Sequence, residues 1–232
     1  MTGHLDDLGP SRHAESMHDA FRSSHLVGGI LLTGGTSRRM GFDKASMLID
    51  GVPCAARVAR AMKAVVADAV EVGPGVSGLP AIHEAPRGGG PLVALCAGAR
   101  ALNEVGQVRA ALVLACDLPL VTATLLRTLV HWPATRSIVP IVEGRPQPLC
   151  ARWSAEDLAT AMDLANSDKR SMHSLLDCSD VELIEVKRKR WPFEIDWREF
   201  SDVDTTTDLE ETGLAWEIPQ QLLSSQPPGV LG

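Results

Sequence analysis

The chain has 232 residues, enough for one large domain or two small ones, and 45% of them are hydrophobic, enough for a sizeable core. A formal net charge of −7 argues against a surface built for nucleic acid, while leaving room for a local basic pocket for phosphates. Tyrosine is absent and aromatics make up 4%, which disfavours base stacking on aromatic platforms. No apolar run is long enough to span a bilayer, and no signal-peptide pattern opens the chain. The cysteines, Cys54, Cys96, Cys116, Cys150 and Cys178, are odd in number and none lie at C-x-x-C spacing, so reduced thiols in a cytoplasmic protein are expected.

Residues 1–25 are polar and without a sustained period, and read as a flexible leader. His4, His13, His18 and His25 are too loosely spaced there to make a metal site. Residues 26–213 read as one folded domain, and 214–232, rich in Pro, Gln and Ser, as a flexible tail. The domain opens with V-G-G-I-L-L-T-G-G-T-S-R-R-M-G-F-D-K, from Val27 to Lys44. The apolar start predicts a buried strand that breaks at Gly34 and Gly35. Backbone N–H groups in such a glycine turn can cradle phosphate, because glycine admits positive φ and has no Cβ to block approach. Arg38, Arg39 and Lys44 add positive charge beside it. The stretch is not a Walker A loop: five residues separate Gly35 from Gly41, and Phe42 follows in place of Lys. The G-x-G-x-x-G spacing of a dinucleotide fingerprint is also absent.

Beyond it, Ala45 to Asp50 predicts a short extended segment with a turn at Asp50-Gly51, and Pro53 suits a helix start. A helix is expected over 55–66, strands over 69–72 and 80–83, and a glycine-rich break over 84–91. Then come a helix over 92–102, a strand over 110–115, and a helix capped by Thr122 that runs to Val130. Strands over 137–142 and 147–152, joined by Glu143-Gly144-Arg145-Pro146, predict an antiparallel hairpin. Ser154 starts the next helix, with Glu156 and Asp157 suiting its positive end. A short helix over 171–176, a strand over 181–186 and a last helix over 205–212, closed by Gly213, complete the domain. The alternation predicts an α/β sandwich whose sheet is mostly parallel with an antiparallel element. Ligands in such sheets bind beyond the strands' carboxyl ends, which selects the loops at Gly34, Gly88, Asp117 and Asp204.

Asp117 directly follows the apolar run A-A-L-V-L-A-C. A carboxylate there can hold Mg²⁺, which takes one or two carboxylates together with phosphate oxygens, or can cap the next helix. Asp204 can likewise cap the last helix.

L-T-G-G-x-S-R-R-M-G-x-D-K resembles the signature loop of the nucleotidyltransferases, and within them that of the molybdenum cofactor guanylyltransferases. Thr33 stands where that family usually has Ala. C-D-x-P around Asp117 resembles the family's metal-aspartate motif, and S-D-V-D-T-T-T-D-L its C-terminal N-x-N-T-P-x-D-L stretch. E-A-P-R-G-G-G-P-L resembles the segment beside the nucleoside, with Glu84 where Asp is usual, and Gly73 falls near a position where relatives bear Asn. S-D-K-R-S-M resembles the stretch near the pterin phosphate, with Lys169 and Arg170.

The resemblance implies a three-layer α/β/α sandwich of Rossmann-like nucleotidyltransferase fold. It implies Mg²⁺-dependent transfer of GMP from GTP to the phosphate of molybdenum-molybdopterin, with release of pyrophosphate. Lys44, Arg39 and Asp117 would carry the chemistry. Leu32, Thr33, Gly34, Gly35, Ser37, Arg38, Lys44, Glu84, Gly90 and Arg170 would bind the substrates, and Asp117 and Asp204 the metal. Molybdoenzymes or proteins of the cofactor pathway are the expected partners, with neither nucleic acid nor membrane. The rivals are a cytidylyltransferase or another transferase acting on a related or sugar-type phosphate, and a non-catalytic subunit that carries the nucleotide or cofactor. The basic run Lys187 to Arg190 reads as a surface loop.

Overall fold

The computed structural model describes residues 26–34, 44–186, 195–203 and 205–219. The leader over 1–25 and the run Lys187 to Arg190 lie outside them. The central sheet is built from β1 (Val27–Leu32), β4 (Ala69–Val72), β5 (Ala81–Ile82), β6 (Ala110–Ala115), β7 (Ile138–Val142), β9 (Cys150–Ser154) and β10 (Glu182–Glu185). Among the described residues its order is β10-β7-β9-β6-β1-β4-β5, with the two-residue β8 (Arg145–Pro146) on β7. β9 runs antiparallel to both neighbours, while the β1–β4, β1–β6, β4–β5 and β7–β10 pairs are parallel.

Both faces of the sheet are covered, so the strands are apolar runs rather than alternating ones. In β1 every residue is buried. Leu31 faces one core cluster, shared with Val58 and Met62 of α1 (Cys54–Lys63) and Leu125 and Leu129 of α3 (Ala123–Val130). Ile30 and Leu32 face the other, with Leu95 and Leu102 of α2 (Pro91–Val105), Leu158 of α4 (Ala155–Ala165) and Leu175 of α5 (Met172–Cys178). This is the three-layer α/β/α sandwich. Thr122 caps α3 by accepting from the Leu125 amide at 3.2 Å, and Ser154 caps α4 by accepting from Asp157 at 3.2 Å. Both caps stand where the sequence puts them.

The hairpin differs in detail. Glu143 and Gly144 turn the chain with φ of 51° and 78°, but the strand paired across this turn is only β8. β9 begins at Cys150, three residues later than expected, and inserts between β7 and β6. Pro146 ends β8 and Pro148 sits within the break, and proline cannot donate to a ladder.

A second, three-stranded sheet joins β2 (Leu48–Ile49), β3 (Val52–Pro53) and β11 (Trp216–Glu217) over Met47, Ile49, Cys54, Val203 and Leu209. Ordered structure therefore continues past Gly213 into the segment expected to be tail. Leu214 and Trp216 pack on this small core, and the Asp50 amide donates to the Ala215 carbonyl at 2.7 Å. Among the described residues no helix is long and apolar enough to cross a membrane.

The helices lie close on β1 because glycines admit them. A Cβ at Gly98 would fall 2.5 Å from Ile30 Cγ2. Gly98→Val should therefore lower stability by about 1–3 kcal/mol through overpacking. An unchanged thermal midpoint would show that α2 and β1 do not pack this tightly.

Candidate active site

Parallel register brings three strand ends together. Leu32 pairs with Val72 on one side and with Ala115 on the other. The residues that follow, Thr33-Gly34, Gly73 and Cys116-Asp117, therefore share the sheet's carboxyl edge. β4 and β6 lie on opposite sides of β1, so this is also where the strand order reverses and α/β sheets bind ligands. A pocket of about 590 Å³ opens there, lined by Leu32, Thr33, Gly34, Lys44, Glu84, Gly88, Gly90, Asp117 and Leu149 among others.

Lys44 and Asp117 face each other across it, with Nζ 4.0 Å from Oδ2. The lysine side chain is 11% exposed and the aspartate 25%, so both are held at the pocket rather than fully solvated. The Asp117 turn is fixed from three directions. The Val203 amide donates to the Asp117 carbonyl at 3.0 Å, Arg57 Nε to the Pro119 carbonyl at 2.9 Å, and Cys54 Sγ to the Cys116 carbonyl at 3.0 Å. Burial, reinforced by the charge of Asp117, pushes the Cys54 thiol up to about 12, so it stays protonated as a donor at neutral pH.

The next helix begins six residues later, at Ala123, and Thr122 caps it. Asp117 is thus not a helix cap. The last helix, α6 (Thr206–Thr212), is capped by Thr205. The Asp208 amide donates to Thr205 Oγ1 at 3.2 Å, and the Thr205 amide donates to Asp208 Oδ2 at 2.6 Å. The cap role weighed for Asp204 is thereby taken by its neighbour, while Asp204 itself lies outside the described residues.

The glycine-rich segment forms the opposite wall. Gly88 and Gly90 adopt φ of 74° and 89°, a region that favours glycine. Gly90 precedes Pro91 at the start of α2, whose positive end is presented to the pocket and suits anionic groups. Glu84 Oε1 accepts from the Gly88 amide at 2.6 Å, so its carboxylate braces this loop. A smaller pocket of about 230 Å³ adjoins the first through Gly34 and Glu84, and is lined also by Val72, Gly73, Pro74, His83 and Arg87.

One anchor of this edge is not evident in the sequence. Glu71 of β4 is fully buried. Its Oε1 accepts from Thr33 Oγ1 at 2.6 Å, Gly75 N at 2.7 Å and Val76 N at 3.1 Å. Its Oε2 accepts from Ser77 N at 2.8 Å and from the Ser77 hydroxyl. Burial alone would raise this carboxyl, but the hydroxyls of Ser77 and Thr33 and the loop amides outweigh it and hold it below its usual range.

Residues 29–182 match the model of the MobA-like NTP transferase domain. The chain is 35% identical over 200 residues to the probable molybdenum cofactor guanylyltransferase of Mycobacterium avium (strain 104), covering 80% of this chain and 94% of that one. It is 28% identical over 197 residues to the protein of the same name from Bacillus cytotoxicus, covering 80% and 95%. The crystal structure of molybdopterin-guanine dinucleotide biosynthesis protein A from Archaeoglobus fulgidus superposes with a TM-score of 0.65, at 21% identity, over 79% of this chain and 95% of that one. The chain belongs to the MobA-like NTP transferases. It is a nucleotidyltransferase.

Of the residues expected to serve this MobA-like transferase, the fold gathers Leu32, Thr33, Gly34, Lys44, Glu84, Gly90 and Asp117 around one pocket. Gly35, Ser37, Arg38 and Arg39 lie outside the described residues. Arg170 follows α4 and donates through Nε to the Ser167 carbonyl at 2.8 Å. It is not among the residues lining the pocket. Gly88, whose loop the sequence had placed at this edge, lines the pocket too, while Leu149 and the Glu71 anchor join the site without having been singled out in the sequence.

The two readings of Asp117 separate in a thermal melt. Thr122→Ala should cost about 1–2 kcal/mol, because it removes the cap of α3. Asp117→Ala should cost less than that, because the cap of α3 is Thr122, whereas alanine at a true cap would carry the full cost. The reverse order would return the cap to Asp117.

Proposed function

We propose that the protein transfers GMP from GTP to the terminal phosphate of molybdenum-molybdopterin. The observation that carries the reading is the pairing of Lys44 with Asp117 across a pocket walled by glycine backbone at the sheet's carboxyl edge. A phosphate oxygen of the acceptor attacks the α-phosphorus of GTP. The bond from that phosphorus to the bridging oxygen breaks, and pyrophosphate leaves with the electron pair. The protein forms no covalent intermediate. Its work is to align acceptor and nucleotide and to neutralise charge that builds on the phosphates.

Lys44 supplies a fixed ammonium for the phosphates, supported by the positive end of α2. The names of the sequence relatives, molybdenum cofactor guanylyltransferases, support the molybdenum cofactor as the acceptor. Among the described residues there is no cluster of three or more metal-ligating side chains. A single carboxylate suits Mg²⁺, which is usually held by one or two carboxylates plus substrate phosphates rather than by an all-protein cage. Asp117 would hold it, and the ion would supply Lewis-acid stabilisation of the phosphate oxygens.

Pyrophosphate release, measured with each NTP in turn and with and without molybdopterin, tests the reading. GTP with acceptor should give release, and Lys44→Ala should weaken GTP binding by on the order of ten- to a hundredfold, the scale of a charge-assisted hydrogen bond. Release from CTP alone among the NTPs would replace guanylyl by cytidylyl transfer. Nucleotide binding with no release would replace the enzyme by a carrier of nucleotide.

A further inference from the structure

The two adjoining pockets share Gly34 and Glu84, so one ligand can occupy both. Lys44 and Asp117 line only the larger one, which assigns the phosphate end there. The smaller pocket then receives the opposite end of a nucleotide, its nucleoside. Part of its wall is Gly73-Pro74, which offers no side-chain donor or acceptor. No side chain fits at position 73 in this backbone. A Cβ there would lie 2.0 Å from Thr33 Oγ1 and 2.9 Å from the Gly34 amide nitrogen, and its φ of 156° is one that other residues rarely adopt. The shape of this wall is therefore backbone shape, decided by whatever holds the loop over 73–77.

What holds it is the buried Glu71 carboxylate. It gathers the amides of Gly75, Val76 and Ser77 and the Ser77 hydroxyl, and Thr33 ties it to the end of β1. A buried carboxylate with all its acceptor sites used is rigid, since releasing any donor leaves a costly unpaired group. We infer that Thr33 and Glu71 are positioning residues for the nucleoside: together they fix the 73–77 loop as a wall of the smaller pocket, and so set nucleotide affinity and base discrimination. The inference rests on the reading of this site as one for a nucleoside triphosphate. Thr33 acts here through its hydroxyl, which engages Glu71, while its backbone lines the larger pocket.

The test compares wild type, Thr33→Val, Thr33→Ser and Glu71→Gln in the full chain. Thr33→Val keeps the shape and removes the hydroxyl. Thr33→Ser restores it. Glu71→Gln turns an amide N–H₂ toward donors that the carboxylate satisfied. Affinities are measured by titration with GTP, CTP and inorganic tripolyphosphate, a probe for the phosphate end alone. Thr33→Val and Glu71→Gln should weaken GTP by about tenfold, the scale of one hydrogen bond to a charged group. They should weaken tripolyphosphate several times less, and narrow the ratio between the two nucleotides, while Thr33→Ser stays near wild type. Equal losses for GTP and tripolyphosphate, or no loss at all, would overturn the inference and leave the nucleotide site standing. Wild type that binds neither nucleotide would remove the site reading itself. Should Glu71→Gln fail to fold, the two Thr33 variants decide the matter.

Discussion

Everything at this site depends on register. Leu32, Val72 and Ala115 end three parallel strands side by side, and the chain after each must turn at the same edge. That constraint places a glycine turn, a second glycine loop and a carboxylate within reach of one ligand, although they are separated by tens of residues in sequence. The apolar faces of β1 and β6 fix the register, since a slip by one residue would exchange the two core clusters.

Strand ends alone do not make a rigid site, and polar anchors do the rest. Each loop is tied down by a polar group, some distant in sequence and some local. Val203, Arg57 and Cys54 hold the Asp117 turn, Glu84 holds Gly88, and Glu71 holds the loop over 73–77. The C-terminal segment is part of this scaffold: Glu199 accepts from the Thr122 hydroxyl at 2.6 Å, and Leu214 and Trp216 pack on the small core around Met47 and Ile49. Catalysis that works through placement and charge needs groups held to within fractions of an ångström. The Glu71 network does this with buried, satisfied hydrogen bonds, which hold geometry better than exposed ion pairs.

Much of this was legible in the sequence. V-G-G-I-L-L and A-A-L-V-L-A are apolar runs bounded by turn signals, and Thr122 and Ser154 precede helices that need caps. Asp117 could be placed at the edge because it directly follows such a run. Glu71 could not be read in this way. In A-V-E-V a charged residue suggests a solvated face, and its burial makes sense only when Thr33 and Ser77 converge on it in space. The tie between Trp216 and Ile49 was hidden for a similar reason, since a two-residue strand has no period to detect. Thr122 was legible as the cap of α3, and its bond from the Leu125 amide removes the cap reading of Asp117.

The proposed role of Asp117 is to hold a divalent cation for the phosphates at this edge. It is tested most directly by nucleotidyl transfer in Asp117→Asn across a Mg²⁺ titration, with a thermal melt run alongside. Asparagine keeps the size and one oxygen but removes the negative charge. Turnover should fall by on the order of a hundredfold or more at ordinary Mg²⁺, the scale of losing a key electrostatic group, with the melt unchanged. Near-normal turnover at ordinary Mg²⁺ in a folded variant would contradict the account.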